Sequence, residues 1–436
     1  MDMEKIRIGV IGFGTVGAGV VETLLKNSGL MARRTGVELV LTKVADLDTT
    51  TDRGVALPPG ILGPDAMALI ESPEVDVVVE LVGGTTIARK FVSEALRRGK
   101  PVVTANKALL AFCGEELFQL ARENGTEIYF EASVGGGIPC IKALREGLVA
   151  NNVEAMYGIL NGTCNYILTR MENEKADFSL VLEAAQKAGY AEANPSTDVD
   201  GYDTANKAAI LASLVYGKWF TLDDVAVQGI RDVTLTDIEY ASQLGYRIKL
   251  LATIRKNGEK VQLCVRPALV SKDSLLGNVS SVFNALWVKG DIVGATMYYG
   301  RGAGRAATAS AVVADLVDLA LNHRHGCQRR VEPFPVYARS LRLATKDEIR
   351  SRFYVRCQVR NKAGVLARIA GVFAGHGISI ASVSQQEKDA QQDAVPMLLL
   401  TEKASQSSMD GALNEIRQDG DMVQPPVCFA VEELEN

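Results

Sequence analysis

The sequence predicts an α/β protein in three parts: a doubly wound parallel sheet over residues 1–135, a central α+β region over 136–303, and a C-terminal ferredoxin-like βαββαβ module over 350–436. Three observations carry this prediction. Short apolar runs alternate with amphipathic stretches through the first hundred residues, the pattern of parallel strands joined by crossover helices. That alternation stops at a Gly-rich segment, SVGGGIP, near residue 135. Past residue 350, strand and helix patterns recur in the order of a split βαβ unit. A length of 436 residues also exceeds what a single core usually holds.

In order, residues 6–11 read as the first strand, 17–25 as a helix, 37–45 as a second strand and 75–82 as a third. A helix over 87–98 and strands over 101–104 and 127–130 complete the unit. The central region offers a helix at 139–148, strands near 153–160 and 261–270, and several helices between them. The run 306–321 reads as a helix and forms the core of a returning element, 304–325. Residues 326–349, with Pro333, Pro335 and clustered Arg, form a connector. In the tail, residues 353–359 alternate as a strand, 361–364 turn, and Leu366, Ile369, Val372 and Phe373 fall at helical spacing.

Composition narrows the function. Hydrophobic residues at 47% and charged residues at 23% are ordinary globular values, which sets aside disordered and fibrous classes. Lys and Arg number 47 against 52 Asp and Glu, a net charge of −5, so no basic surface recruits nucleic acid or an anionic membrane. The tail repeats this with eight Lys and Arg against eleven Asp and Glu from residue 351 on, which disfavours RNA binding by its βαββαβ topology. Apolar runs too short to span a bilayer and an acidic start point to a cytoplasmic enzyme. The seven Cys lack any CxxC pair, which argues against a zinc site or a disulfide framework and for a reducing compartment. His323, His325 and His376 all lie late in the chain, so chemistry placed earlier must find its acid or base elsewhere.

Gly12-Phe13-Gly14-Thr15-Val16-Gly17 fits GxGxxG. Its glycines permit a tight turn, close approach of backbone to a pyrophosphate, and close helix–strand packing. It follows a predicted strand and opens a predicted helix, the context of a Rossmann-type dinucleotide site rather than of a mere Gly-rich turn. Asp46 closes the second strand, where a carboxylate accepts hydrogen bonds from the adenosine ribose and repels a 2′-phosphate. No Arg stands beside it, Arg53 being the nearest base, so NAD is favoured over NADP. The gap from Gly17 to Asp46 is longer than usual because MARRTG intervenes, and a solvated strand end is the other reading of Asp46.

Thr104-Ala-Asn-Lys107 sits past the carboxyl end of a strand, the edge where open α/β sheets place ligands. A solvated loop lysine is the alternative reading there. The segment 185–207 places Glu192, Asp198, Asp200, Asp203 and Lys207 on a broken loop that runs into a helix. Asp203 and Lys207, spaced i,i+4, share one helix face, where the carboxylate can orient the ammonium. A surface ion pair would have the same spacing and little energetic worth. Glu131 with the carbonyls that follow it offers hard oxygen ligands to a cation, or is only a flexible joint between domains.

Taken together these segments resemble the homoserine dehydrogenase family. Ala185, Gly189, Tyr190, Asn194-Pro195, Asp198-Val199, Gly201, Asp203 and Lys207 match its signature, and GFGTVG, ELVGG, TANKALL, EASVGGGIP, LNGTCNYI and GRGAG follow in its order. The resemblance runs from residue 5 to about 325, and the tail from 353 resembles an ACT domain, the ligand-sensing module of many bacterial members. It implies reversible NAD(P)H-dependent reduction of L-aspartate 4-semialdehyde to L-homoserine, on the route to threonine and methionine. Lys207 would be the proton donor, Lys107 a second catalytic, substrate- or cofactor-binding lysine, Asp203 the group that orients them and holds substrate, and Glu192 the partner of the substrate's amino group. Cofactor contacts would include Phe13, Thr15, Val16, Thr104, Gly162 and Gly302. A monovalent cation, such as sodium, would lie on Glu131 and the carbonyls of Val134, Gly136 and Ile138. The family implies a homodimer or homotetramer, with threonine as effector near residues 361–366 and 377–382 of the tail; a purely structural dimerisation role is the alternative. One departure is Ala306-Ala307-Thr308, where many members have Pro-Thr, which makes that turn less rigid.

The chemistry is consistent with these roles. Hydride arriving at an aldehyde carbon leaves an alkoxide that needs a proton, and a lysine ammonium supplies one. The reverse oxidation requires a neutral lysine, so its optimum is expected at more alkaline pH. The rival readings are a dehydrogenase for another amino acid and a catalytically dead NAD sensor.

Overall fold

The computed structural model describes residues 4–327, 330–334, 337–338, 340–385 and 393–434. The chain forms two compact units. One is drawn from Met1–Gly162, Tyr202–Val225 and Val282–Arg339, the other from Thr163–Gly201, Ala226–Ser281 and Ser340–Asn436.

The first unit opens with strand β1 (Glu4–Ile11), helix α1 (Thr15–Thr35), β2 (Val37–Ala45), β3 (Leu62–Gly63), α2 (Ala66–Glu71), β4 (Val77–Glu80), α3 (Thr86–Arg97), β5 (Val102–Thr104), α4 (Lys107–Glu123) and β6 (Ile128–Tyr129). The strands stand in the order β3-β2-β1-β4-β5-β6, all parallel, so the predicted doubly wound sheet is present. Ile8, Val10, Val77, Val79 and Val103 fill its core against Val20, Val21 and Leu24 of α1. The strand order reverses between β1 and β4, which places the 12–14 and 81–84 loops side by side at the ligand-binding edge. The long gap before Asp46 has a simple cause: α1 runs through Met31 and Ala32, both buried, and stops only at Gly36, whose φ of 70° supplies the left-handed cap. The stretch read as an intervening segment is helix.

The same unit holds a three-stranded antiparallel sheet of Val153–Ile159, Phe283–Gly290 and Gly294–Arg301. It also contains the helix Tyr202–Tyr216 and the returning helix Arg305–Arg324. The latter packs on α1 at Gly19, where a side chain would meet the Arg305 carbonyl at 2.7 Å. The hairpin Phe283–Arg301 and helix α4 are elements that the sequence reading did not name.

In the second unit a hairpin, Tyr246–Asn257 with Lys260–Ser271, lies beside the tail, its second strand pairing in parallel with Val427–Glu432 through Ala268 and Ala430. The tail strands Arg350–Arg360, Ile380–Gln385, Ala394–Thr401 and Val427–Glu432 form the antiparallel order fourth, first, third, second of a ferredoxin-like module. Helices Val365–Gly375 and Gln406–Ile416 cover its core through Ile369, Phe373, Met409, Ala412 and Ile416. The connector contributes a short strand, Arg342–Leu343, that pairs with Lys260 and Val261.

Candidate active site

The GxGxxG glycines have three different surroundings. Gly12 has φ 95° and lies so close to β4's end that a Cβ would sit 2.7 Å from the Leu81 carbonyl, while a Cβ on Gly17 would stand 1.9 Å from the Gly12 oxygen. These two positions must be glycine for the turn and the helix–strand packing. A Cβ on Gly14 meets no protein atom within 4 Å, so the fold itself does not require a glycine there. A pyrophosphate laid against the amides that open α1 does require one, and the cradle therefore fits a dinucleotide. Asp46, half-buried just past the end of β2, accepts from the Phe13 amide at 2.5 Å and the Asp48 amide at 2.9 Å, which ties this carboxylate to the glycine loop. Thr15 and Val16 form the first turn of α1, Thr15 exposed and Val16 half-buried. Arg53 pairs with Asp48 at 2.9 Å.

At the ends of β4 and β5 a carboxylate of the ELVGG block, to which the sequence alone gives no separate role, holds the edge together. Glu80 is wholly buried and accepts from the Val82 and Gly83 amides at 2.9 and 3.2 Å and from the Thr104 hydroxyl at 2.7 Å. Burial pushes its carboxyl up, opposed by those donors. The Thr104 oxygen in turn accepts from the Asn106 amide, and the Asn106 side chain donates to the Gly84 carbonyl and caps α4 at Leu109. This network fixes Lys107, the first residue of α4.

Lys107 meets the expected helix pair. Its Nζ lies 3.0 Å from one oxygen of Asp203, whose other oxygen is 2.6 Å from Lys207 Nζ and 3.0 Å from the Asn161 amide nitrogen. Lys207 donates a second bond to the Leu160 carbonyl at 2.7 Å. The helix Tyr202–Tyr216 is apolar nearly all round, with Ala205, Ala208, Ala209 and Ala212 buried, so it lies inside the unit and carries its ion pair inside with it. Asp203 is 5% exposed and Lys207 7%, which removes the surface-pair alternative. Burial pushes the Asp203 carboxyl up, but Lys207 first and Lys107 second more than reverse this, holding it well below the usual carboxylate range. Among the described residues two acceptors are assigned to the three Lys207 hydrogens, which leaves a third for a reacting oxygen. Asn161 and Leu160 lie in the LNGTCNYI block, where the sequence alone gives them no role. Only the fold reveals them, because neither residue type advertises this chemistry.

Gly162 and Gly302 stand together across Asn284. A Cβ on Gly302 would lie 1.9 Å from the Asn284 amide nitrogen, and one on Gly162 would lie 3.5 Å from its amide oxygen. Gly136 packs on the other side of Gly302, where a Cβ would be 2.5 Å from its carbonyl.

Glu131 is buried and accepts from the Ile141 and Lys142 amides at 2.9 and 2.8 Å, so it caps the helix that begins at Cys140. Its own amide donates to buried Asp315. The Val134 carbonyl accepts from the Cys140 thiol and the Ile138 carbonyl from the Cys140 amide. Each of these oxygens retains a lone pair, and a set of hard oxygens in one short loop suits a monovalent cation. Glu192 belongs to the second unit, exposed on a loop where its carbonyl accepts from Gln186. In the tail, residues 361–364 form an exposed turn with Gly364 at φ 88°, and Gly377 at φ 69° precedes the exposed strand Ile380–Gln385.

Models of known families match the chain in three places: the homoserine dehydrogenase NAD-binding domain over residues 12–131, the homoserine dehydrogenase domain over 139–317 and an ACT domain over 353–421. A homoserine dehydrogenase of Pseudomonas aeruginosa is 40% identical over 99% of this chain and all of its own length. The chain belongs to the homoserine dehydrogenase family. A crystal structure of a homoserine dehydrogenase from Thiobacillus denitrificans aligns with a TM-score of 0.91 at 39% identity over 99% of both chains. A hyperthermophilic archaeal homoserine dehydrogenase in complex with NADPH aligns over 73% of this chain and 98% of its own, at 28% identity and a TM-score of 0.63. As a homoserine dehydrogenase, the chain is an NAD(P)-dependent oxidoreductase of amino-acid biosynthesis with an ACT domain at its C-terminal end. Among its described residues, no helix is long and apolar enough to cross a membrane.

Proposed function

We propose that this homoserine dehydrogenase interconverts L-aspartate 4-semialdehyde and L-homoserine with Lys207 as the proton donor. The observation that carries this reading is the buried Asp203 carboxylate clamped between Lys207 and Lys107. The nicotinamide cofactor, when bound, supplies or accepts the hydride. As the aldehyde carbon gains hydride, its oxygen takes a proton from Lys207 Nζ, and Asp203 with the Leu160 carbonyl holds that ammonium in place. In oxidation the same nitrogen receives the proton. Lys107 pairs with the negative end of the substrate, and Glu192 takes its ammonium group, as the family resemblance implies. The division into residues 1–135 with the returning helix 304–325, a central region 136–303, a linker 326–349 and the tail 350–436 is supported by the end of the strand–helix alternation at the Gly-rich segment near 135 and by the Pro- and Arg-bearing connector.

The cofactor is NAD in preference to NADP, supported by Asp46, whose carboxylate closes the ribose side of the loop. The cation site on Glu131 and the carbonyls of Val134, Gly136 and Ile138 takes sodium. The ACT domain binds threonine as feedback effector at residues 361–366 and 377–382, in a homodimer or homotetramer. The enzyme works in the cytoplasm, a reading supported by the lack of any CxxC pair among its seven cysteines. Homoserine-dependent reduction of NAD and of NADP, followed at the nicotinamide absorbance with and without millimolar threonine and with sodium exchanged for lithium, tests the set. Turnover with NAD favoured, inhibition by threonine and loss in lithium are the expected results. Absence of homoserine-dependent turnover in folded protein that binds NADH would refute the central reading.

A further inference from the structure

Asn284 is 1% exposed, and neither its amide nitrogen nor its amide oxygen has a hydrogen-bond partner among the described residues. A buried, unsatisfied amide is costly, and native interiors keep few of them unless something else completes them. Its place in the fold says what that is. One flank is Gly162, which follows Asn161, a partner of Asp203 in the proton-donor cluster. The other flank is Gly302, three residues before Arg305, and Arg305 packs on Gly19 in the helix that opens at the pyrophosphate cradle. Asn284 thus lies between the phosphate end of the site and the reacting end, where the nicotinamide half of a dinucleotide must be placed.

We propose that Asn284 binds the carboxamide of the nicotinamide ring. The reading rests on the dehydrogenase function above. A primary amide presents one donor group and one acceptor side by side, and the ring's carboxamide presents the complementary pair. The main chain at Gly302 covers Asn284, and its neighbours Arg301, Ala303 and Gly304 are exposed, so a single thin turn must draw back for the ring to reach the amide. Gly304, at φ 112° with no atom near its Cβ position, faces open space at the end of that turn.

The test compares NADH with ADP-ribose, which lacks the nicotinamide, by titration calorimetry on the full chain. Asn284→Leu keeps the branched shape while removing both polar atoms, and the smaller Asn284→Ser serves as a second variant should the bulkier leucine fold poorly. Both should bind NADH on the order of tenfold or more weakly while ADP-ribose affinity stays within about twofold. The reduced 3-acetylpyridine analogue, which lacks the amide N–H, should bind wild type more weakly than NADH but show no such difference in Asn284→Leu. The ligand-free leucine variant should melt at or above the wild-type temperature, because it removes two unsatisfied groups. Unchanged NADH affinity, or equal loss of NADH and ADP-ribose in both variants, would overturn the proposal. Homoserine turnover by the wild type is measured in parallel, so that a failure of the dehydrogenase reading is seen separately.

Discussion

Replacing Lys207 by methionine keeps most of the length of the side chain and removes its charge. Asp203, 5% exposed, then keeps Lys107 at 3.0 Å and Asn161 at 3.0 Å but loses its closest partner at 2.6 Å. Breaking a buried pair by removing one member costs about 3–5 kcal/mol. The Lys107 side chain, 40% exposed, is screened by water and compensates only in part, so the lower end, about 3 kcal/mol, is expected. The pH dependence has a definite sign. Asp203 has a folded pKa below its ordinary value, so its contribution to stability is present above the unfolded pKa and is lost as pH falls through the folded one. With Lys207 gone the folded pKa rises, and acid unfolding followed by circular dichroism should begin at higher pH than in the wild type. Steady-state turnover should fall roughly 10²–10⁴-fold in both directions, the usual worth of a positioned acid–base group, while calorimetry finds NADH binding retained. Turnover within tenfold of wild type, or loss of NADH binding together with activity, would refute the assignment.

Gly14→Ala should leave the fold intact and weaken NADH binding, whereas Gly17→Ala should destabilise the unit itself, since its Cβ would collide with the Gly12 carbonyl; calorimetric melting and NADH titration separate the two. Thr104→Val removes the bond to Glu80 and the acceptor for Asn106, about 2 kcal/mol at roughly 1 kcal/mol each, with a drop in kcat as Lys107 loses its support. Glu432→Ala should cost about 3–5 kcal/mol in urea unfolding, because it strips the wholly buried carboxylate from Arg266 and Arg255 while leaving kcat of the surviving protein unchanged.

Much of the architecture was legible because its signals are local. Strand β2 follows its apolar run residue for residue, and the pattern of Leu366, Ile369, Val372 and Phe373 located the helix Val365–Gly375. The i,i+4 spacing of Asp203 and Lys207 was readable, but their burial was not, since it depends on what surrounds the helix. The strand Tyr246–Asn257 escaped because seven consecutive residues are buried on both faces and the run shows no alternation. Its Gly258-Glu259 turn, with Gly258 at φ 59° in the first turn position, was the signal that could have found it. The first strand of the hairpin Phe283–Arg301 is likewise buried on both faces over Asn284–Val288 and shows no alternation. Glu80 and Asn284 could not be singled out from the sequence. What marks them is a set of partners, or a lack of partners, that exists only after strands distant in sequence are brought together.

The role of Lys207 is measured most directly by homoserine-dependent NAD reduction by the wild type beside Lys207→Met and Lys107→Met, with NADH affinity determined for each protein. Wild-type turnover should be robust, Lys207→Met should lose roughly 10²–10⁴-fold, and that variant should bind NADH near-normally. Full activity in Lys207→Met, with the loss falling on Lys107→Met alone, would contradict that role and move the proton to the other lysine.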